Sequence, residues 1–148
     1  MNRLVLILLL TVSLFLVACA PTQKDSAVGT NTDDLTRTEI QGEVTLKVTP
    51  LNLDNPGDTL KFEVILDTHT VELDMDLATL ATLTTDTGLT LQPTLWDAPK
   101  GGHHAEGTLA FPATLDGKSI LDGVKQLTLT ISDVDNATST FTWDLGTK

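Results

Sequence analysis

The chain has 148 residues, with Lys+Arg 9 against Asp+Glu 20 and a formal net charge of -11, which leaves room for one ordinary domain. That balance excludes a nucleic-acid binder, whose phosphate partner demands a basic footprint, and equally a polybasic grip on anionic lipid. The only cysteine, Cys19, has no partner for a disulfide within the chain, so the fold rests on its core alone.

Met1-Asn2-Arg3 supplies a short positive start, Leu4 to Ala18 runs almost without polar interruption, and Leu16-Val17-Ala18-Cys19 closes the run. A basic start, an apolar middle and small residues before a cut are the parts of a cleavable export signal, and this stretch falls short of the roughly 20 residues of a comfortable membrane span. Residues 1–18 are expected to be a signal peptide, against the alternative of an uncleaved anchor helix ending in a buried thiol. Leu-Val-Ala-Cys resembles the lipobox of bacterial lipoproteins. The resemblance implies that Cys19 is thioether-linked to diacylglycerol, becomes the mature N-terminus, and holds the protein on the extracytoplasmic face of a bacterial membrane, in the cell envelope. Each buried methylene is worth about 0.8 kcal/mol, so two or more acyl chains anchor durably.

Residues 19–41 contain few and isolated large apolar side chains, which cannot offset the entropy of ordering, so they are expected to form a flexible linker behind the lipidated N-terminus. From Gly42 onward the hydrophobic period is two. Val44, Leu46 and Val48 alternate with Thr45, Lys47 and Thr49, and after the turn cluster Asn55-Pro56-Gly57-Asp58 the residues Leu60, Phe62, Val64 and Leu66 repeat the pattern. One helical turn is expected within Asp76 to Ala81, linking two sheets. Further strands are expected at Leu80 to Thr84, Leu89 to Leu95, Thr108 to Phe111, Leu127 to Ile131 and Thr140 to Leu145, with a hairpin loop at Thr85-Asp86-Thr87-Gly88 and a turn at Asp133 to Asn136. About seven short strands with regular turn signals predict an all-β fold over residues 42–148, an immunoglobulin-like antiparallel β-sandwich, with a partly open barrel as the alternative. Trp96 and Trp143 are expected to pack in the core.

The alternation breaks once. Even positions are apolar up to Leu66, and odd positions, Val71, Leu73, Met75 and Leu77, are apolar afterwards. A one-residue slip exchanges the faces of a strand, so the chain must bulge, turn or change sheets across Asp67-Thr68-His69-Thr70. A second loop-like segment, Trp96 to Gly107, holds Gly101-Gly102-His103-His104 and Glu106. If the two segments meet, His69, His103 and His104, with Asp67 or Glu106, offer a nitrogen and oxygen site suited to Zn or Cu. The competing reading of the same residues is a solvated turn. Glu72, Asp74 and Asp76 share one face of an extended segment and read as a solvated face, since no EF-hand loop is present. No nucleophile elbow, phosphate loop, dinucleotide fingerprint or zinc-protease motif appears, so the chain is expected not to be an enzyme.

Phe62-Glu63-Val64-Ile65-Leu66-Asp67-Thr68-His69-Thr70, Leu73-Asp74-Met75-Asp76-Leu77, and Trp96 with Gly101-Gly102-His103-His104 together resemble a small exported bacterial domain family of uncharacterised envelope proteins. The resemblance implies an envelope setting and no particular activity. The expected function is a membrane-anchored binding module, with the histidine segments as the transition-metal site. The alternative is a structural or protein-interaction domain that contacts an envelope protein partner and takes no small ligand.

Overall fold

The structure is a computed structural model that describes residues 32–146. Cys19, the signal peptide and the first part of the expected linker lie outside the described residues. A one-turn helix α1 (Thr32–Leu35) leads into β1 (Arg37–Gln41), β2 (Val44–Pro50) and β3 (Thr59–Thr68). The turn α2 (Leu77–Leu80) precedes β4 (Ala81–Thr85), β5 (Thr90–Leu91), β6 (Leu95–Trp96) and β7 (His104–Pro112). Then follow β8 (Thr114–Leu115), β9 (Lys118–Ser119), β10 (Gln126–Val134) and β11 (Ala137–Asp144).

Every ladder is antiparallel. One sheet has the order β1-β2-β3-β7-β6, a second has β11-β10-β4-β5, and β8-β9 is a separate small hairpin. The chain is an all-β sandwich. Its inner faces follow from the period of two: Leu60, Phe62, Val64 and Leu66 of β3 and Leu127, Leu129 and Ile131 of β10 are all buried in one cluster. The sheets meet where Phe62 lies 5.3 Å from Trp143, ring centroid to ring centroid, while Phe62 and Phe111 make an edge-to-face pair at 5.8 Å. Trp143 is fully buried, whereas Trp96 is half-buried and packs against the core from β6.

Three local structures match their sequence signals. Asp76 caps α2 by accepting from the Ala78 N–H at 3.0 Å, and α2 carries the chain from the first sheet to the second. Thr85 to Gly88 closes the β4–β5 hairpin, with the Gly88 N–H donating to the Thr85 carbonyl at 3.0 Å. Asp135 and Asn136, with φ of 48 and 58, form the two-residue turn between β10 and β11, the left-handed pair that a type I′ hairpin requires.

Two expectations need correction. The ordered fold begins before Gly42, because Arg37–Gln41, assigned to the linker, pairs along its whole length with β2. The signal was invisible because the strand's one large apolar residue, Ile40, faces outward at 73% exposure and the ladder is held by main-chain hydrogen bonds. The expected single strand at Leu89 to Leu95 is two strands in different sheets, β5 pairing with β4 and β6 with β7. The switch falls at Gln92-Pro93-Thr94, where Pro93 has no N–H to continue a ladder.

Candidate functional site

The break in alternation is a bend. β3 ends at Thr68, whose Oγ1 accepts from the N–H groups of Thr70 and Val71 at 3.3 Å each, turning the chain so that the opposite parity faces inward. The two histidine-bearing segments do meet there. The Thr68 N–H donates to the His103 carbonyl at 2.9 Å, Leu73 exchanges main-chain bonds with Gly101 and Gly102, and the Gly102 N–H donates to Glu72 Oε1 at 2.7 Å. Glu72 therefore secures the glycine loop while remaining on the solvent-exposed face expected for it.

The β3–β7 register sets Asp67 opposite His104 and Ile65 opposite Glu106. His104 Nδ1 lies 2.6 Å from Asp67 Oδ1, and its Nε2 lies 3.8 Å from Glu106 Oε2. The hydrogen bond to Asp67 raises the His104 imidazole above its ordinary range; desolvation opposes it, and the charges of Asp67 and Glu106 add smaller upward pushes. Nδ1 is engaged by Asp67, while Nε2 faces Glu106 across 3.8 Å, beyond hydrogen-bond length. His103 is an exposed bend residue one position before β7. His69 is exposed in the bend. Among the described residues, no group of three or more His, Cys, Asp or Glu side chains is placed to hold a metal ion. The structure brings Asp67, His104 and Glu106 together, and leaves His69 and His103 apart from them.

At the other end of β3, roughly 30 Å away along the strand, lies a cleft that the sequence reading missed. Its volume is about 310 Å³, and its walls are Leu35 of α1, Leu53 of the β2–β3 loop, Leu121 and Val124 before β10, and Leu145 after β11. Asp54, Lys125 and Asp144 stand among them as the charged residues. A second hollow of about 270 Å³, lined also by Pro50 and Leu51, shares Leu35, Leu53 and Asp54 with the first.

Local hydrogen bonds hold each wall in place. The Asn52 side chain donates to the carbonyls of Thr59 at 2.8 Å and Pro56 at 3.2 Å and accepts from the Lys61 N–H at 2.9 Å, so the β2–β3 loop is tied to β3. The Trp143 indole N–H donates to the Leu35 carbonyl at 2.6 Å and fixes α1 against the last strand. The Leu145 N–H donates to the Lys125 carbonyl at 2.8 Å, and the Lys125 N–H donates to Asp86 at 3.1 Å. The cleft is therefore formed by the fold before any ligand arrives, in the size range and with the apolar lining of small-molecule sites. The one sequence signal was negative: Leu53, Leu121 and Val124 are aliphatic residues outside any strand, where turn chemistry has no use for them.

Compared with protein-family models, curated proteins and solved structures, the chain matches none. Among the described residues, no helix is long and apolar enough to cross a membrane.

Proposed function

We propose that this chain is a cell-envelope binding module, anchored through lipid on Cys19, whose immunoglobulin-like sandwich receives an apolar group in the cleft between α1, the β2–β3 loop and the end of β11. The preformed aliphatic lining of that cleft carries the reading. Metal capture by the histidine segments is the weaker account, because among the described residues no group of three or more His, Cys, Asp or Glu side chains is placed to hold an ion. No catalytic step is assigned. The test has two parts. Mass spectrometry of the native protein should find the leader gone and a diacylglyceryl group on Cys19. Methyl NMR of the mature chain titrated with short alkanols should move the signals of Leu53, Leu121 and Leu145 and leave those of Leu115 in place; uniform small shifts across the surface would refute a specific cleft.

A second reading has one observation in its favour. Edge strand β1 presents Ile40 to solvent, the most exposed large apolar side chain among the described residues, on a strand with one side unpaired within its sheet. An envelope protein adding a strand there would use no small ligand, and cross-linking from position 40 in intact cells would capture it.

A further inference from the structure

We propose that the cleft shelters one acyl chain of the lipid carried by this chain's own Cys19 whenever the protein is away from a bilayer. The inference rests on the lipid-anchor reading and specifies the occupant of the proposed cleft. The lining with its charges, the adjoining hollow and the position of the chain converge on it.

Half of the lining is aliphatic, from Leu35, Leu53, Leu121, Val124 and Leu145, none of it is aromatic, and its polar side chains are the charged Asp54, Lys125 and Asp144. Such a wall suits a saturated hydrocarbon chain better than a flat or polar ligand. The charges around it are two carboxylates, Asp54 and Asp144, against one ammonium, Lys125, on a protein of net charge -11, so an anionic head group is disfavoured while the uncharged end of an acyl chain is not. The adjoining hollow past Leu51 shares Leu35 and Leu53 with the cleft, which lengthens the apolar track as a linear guest requires.

The position of the chain supplies the third observation. Leu35, part of the wall, belongs to the first described element, and twelve residues, Ala20 to Asn31, separate Cys19 from Thr32. That length reaches at most about 45 Å when fully extended, and a coil of the same length spans roughly 20 Å. A lipid on Cys19 is thus held within reach of the cleft at an effective concentration in the millimolar range, with no second molecule needed. A bilayer buries every methylene of the chain and an open cleft buries only part, so contact with a membrane withdraws the lipid and frees the cleft.

The experiment compares the mature lipidated protein, freed of detergent, with the mature C19S chain, which keeps every described element. Methyl NMR reports on Leu53, Leu121 and Val124. These methyls are expected to shift in the lipidated form relative to C19S, and to return to the C19S positions when phosphatidylglycerol bicelles are added. In parallel, the neutral linear probe methyl cis-parinarate, read by energy transfer from tryptophan, should saturate C19S at one probe per chain. Leu53→Gln and Leu121→Gln should each weaken that binding roughly tenfold, and Leu115→Gln, on the exposed β8 hairpin, should leave it unchanged. Identical cleft methyls in the two forms overturn the proposal while leaving the cleft as a site for another guest. Absence of saturable parinarate binding overturns both the proposal and the cleft reading. An unmodified Cys19 in the native protein overturns the proposal and the anchor together, and the parinarate result then judges the cleft by itself.

Discussion

Trp143 and Leu35 are joined by a 2.6 Å hydrogen bond from the indole N–H to a main-chain carbonyl, which couples the last strand of one sheet to the helical turn that opens the described chain. The same indole packs at a tilt against Phe62 across the sandwich, so one side chain links the core to a wall of the cleft. Trp143→Phe keeps an aromatic ring in the core but strands the Leu35 carbonyl. The expected loss is about 1–3 kcal/mol of stability, the cost of an unpaired part-buried polar group plus lost packing. Urea denaturation checks the loss, and faster amide exchange at Thr36 and Arg37 checks that α1 has loosened.

Asp67 governs the protonation of His104. The folded imidazole is held above its ordinary value by the Asp67 bond, so its stabilising contribution is fully present below the unfolded imidazole pKa of about 6.5 and disappears as pH rises through the higher folded pKa. Asp67→Asn removes the charge and should lower the His104 pKa, read from the imidazole proton shifts in an NMR titration. Glu106→Gln should lower it less, since Glu106 stands at 3.8 Å against 2.6 Å for Asp67. Equal effects of the two substitutions would contradict the ordering. Because His104 is well exposed, the change in overall stability is expected to be small.

Gly107 permits a close crossing of β7 by the loop that follows β6. A Cβ at this position would lie 2.6 Å from the Ala98 nitrogen and 2.8 Å from its Cα, both main-chain atoms that cannot step aside as a flexible side chain would. Gly107→Ala should cost about 1–3 kcal/mol through overpacking. The displaced segment includes Asp97, which accepts from the Thr108 N–H, so exchange protection of that amide should fall first.

Gln41 offers a substitution in the opposite direction. It is 5% exposed at the end of β1, and its Oε1 is a buried acceptor with no hydrogen-bond partner among the described residues. Gln41→Met keeps the shape and removes the desolvated amide, so stability should rise by about 1 kcal/mol. A fall in the urea midpoint would show that the amide makes an interaction worth more than its burial costs.

Leu60 to Leu66 and Leu127 to Ile131 were legible because each strand hides one face, which writes a period of two into the residues. The bend after β3 was legible for the same reason, as a parity change between Leu66 and Val71, whereas the pairing of Asp67 with His104 was decided by the β3–β7 register. β1 was not legible: an edge strand held by its backbone, with Ile40 outward, leaves no alternation to read. Nor was the division of Leu89 to Leu95 between two sheets, since Leu89, Leu91 and Leu95 share one parity and do not say which partner each half will find.

The residues alone settled that the fold is β, where several of its turns fall and which faces of the longer strands are apolar, because these follow from local sterics and from hiding hydrocarbon from water. Whether three histidines converge, and whether five scattered aliphatic residues make a cleft, depended on long-range register and on which loops share an end of the sandwich. Register placed both nitrogens of His104 between carboxylates, and the chain's return from β11 set Leu145 beside Leu121 and Leu53. Distances between residues a hundred positions apart are properties of the packed sheets, and no local pattern encodes them.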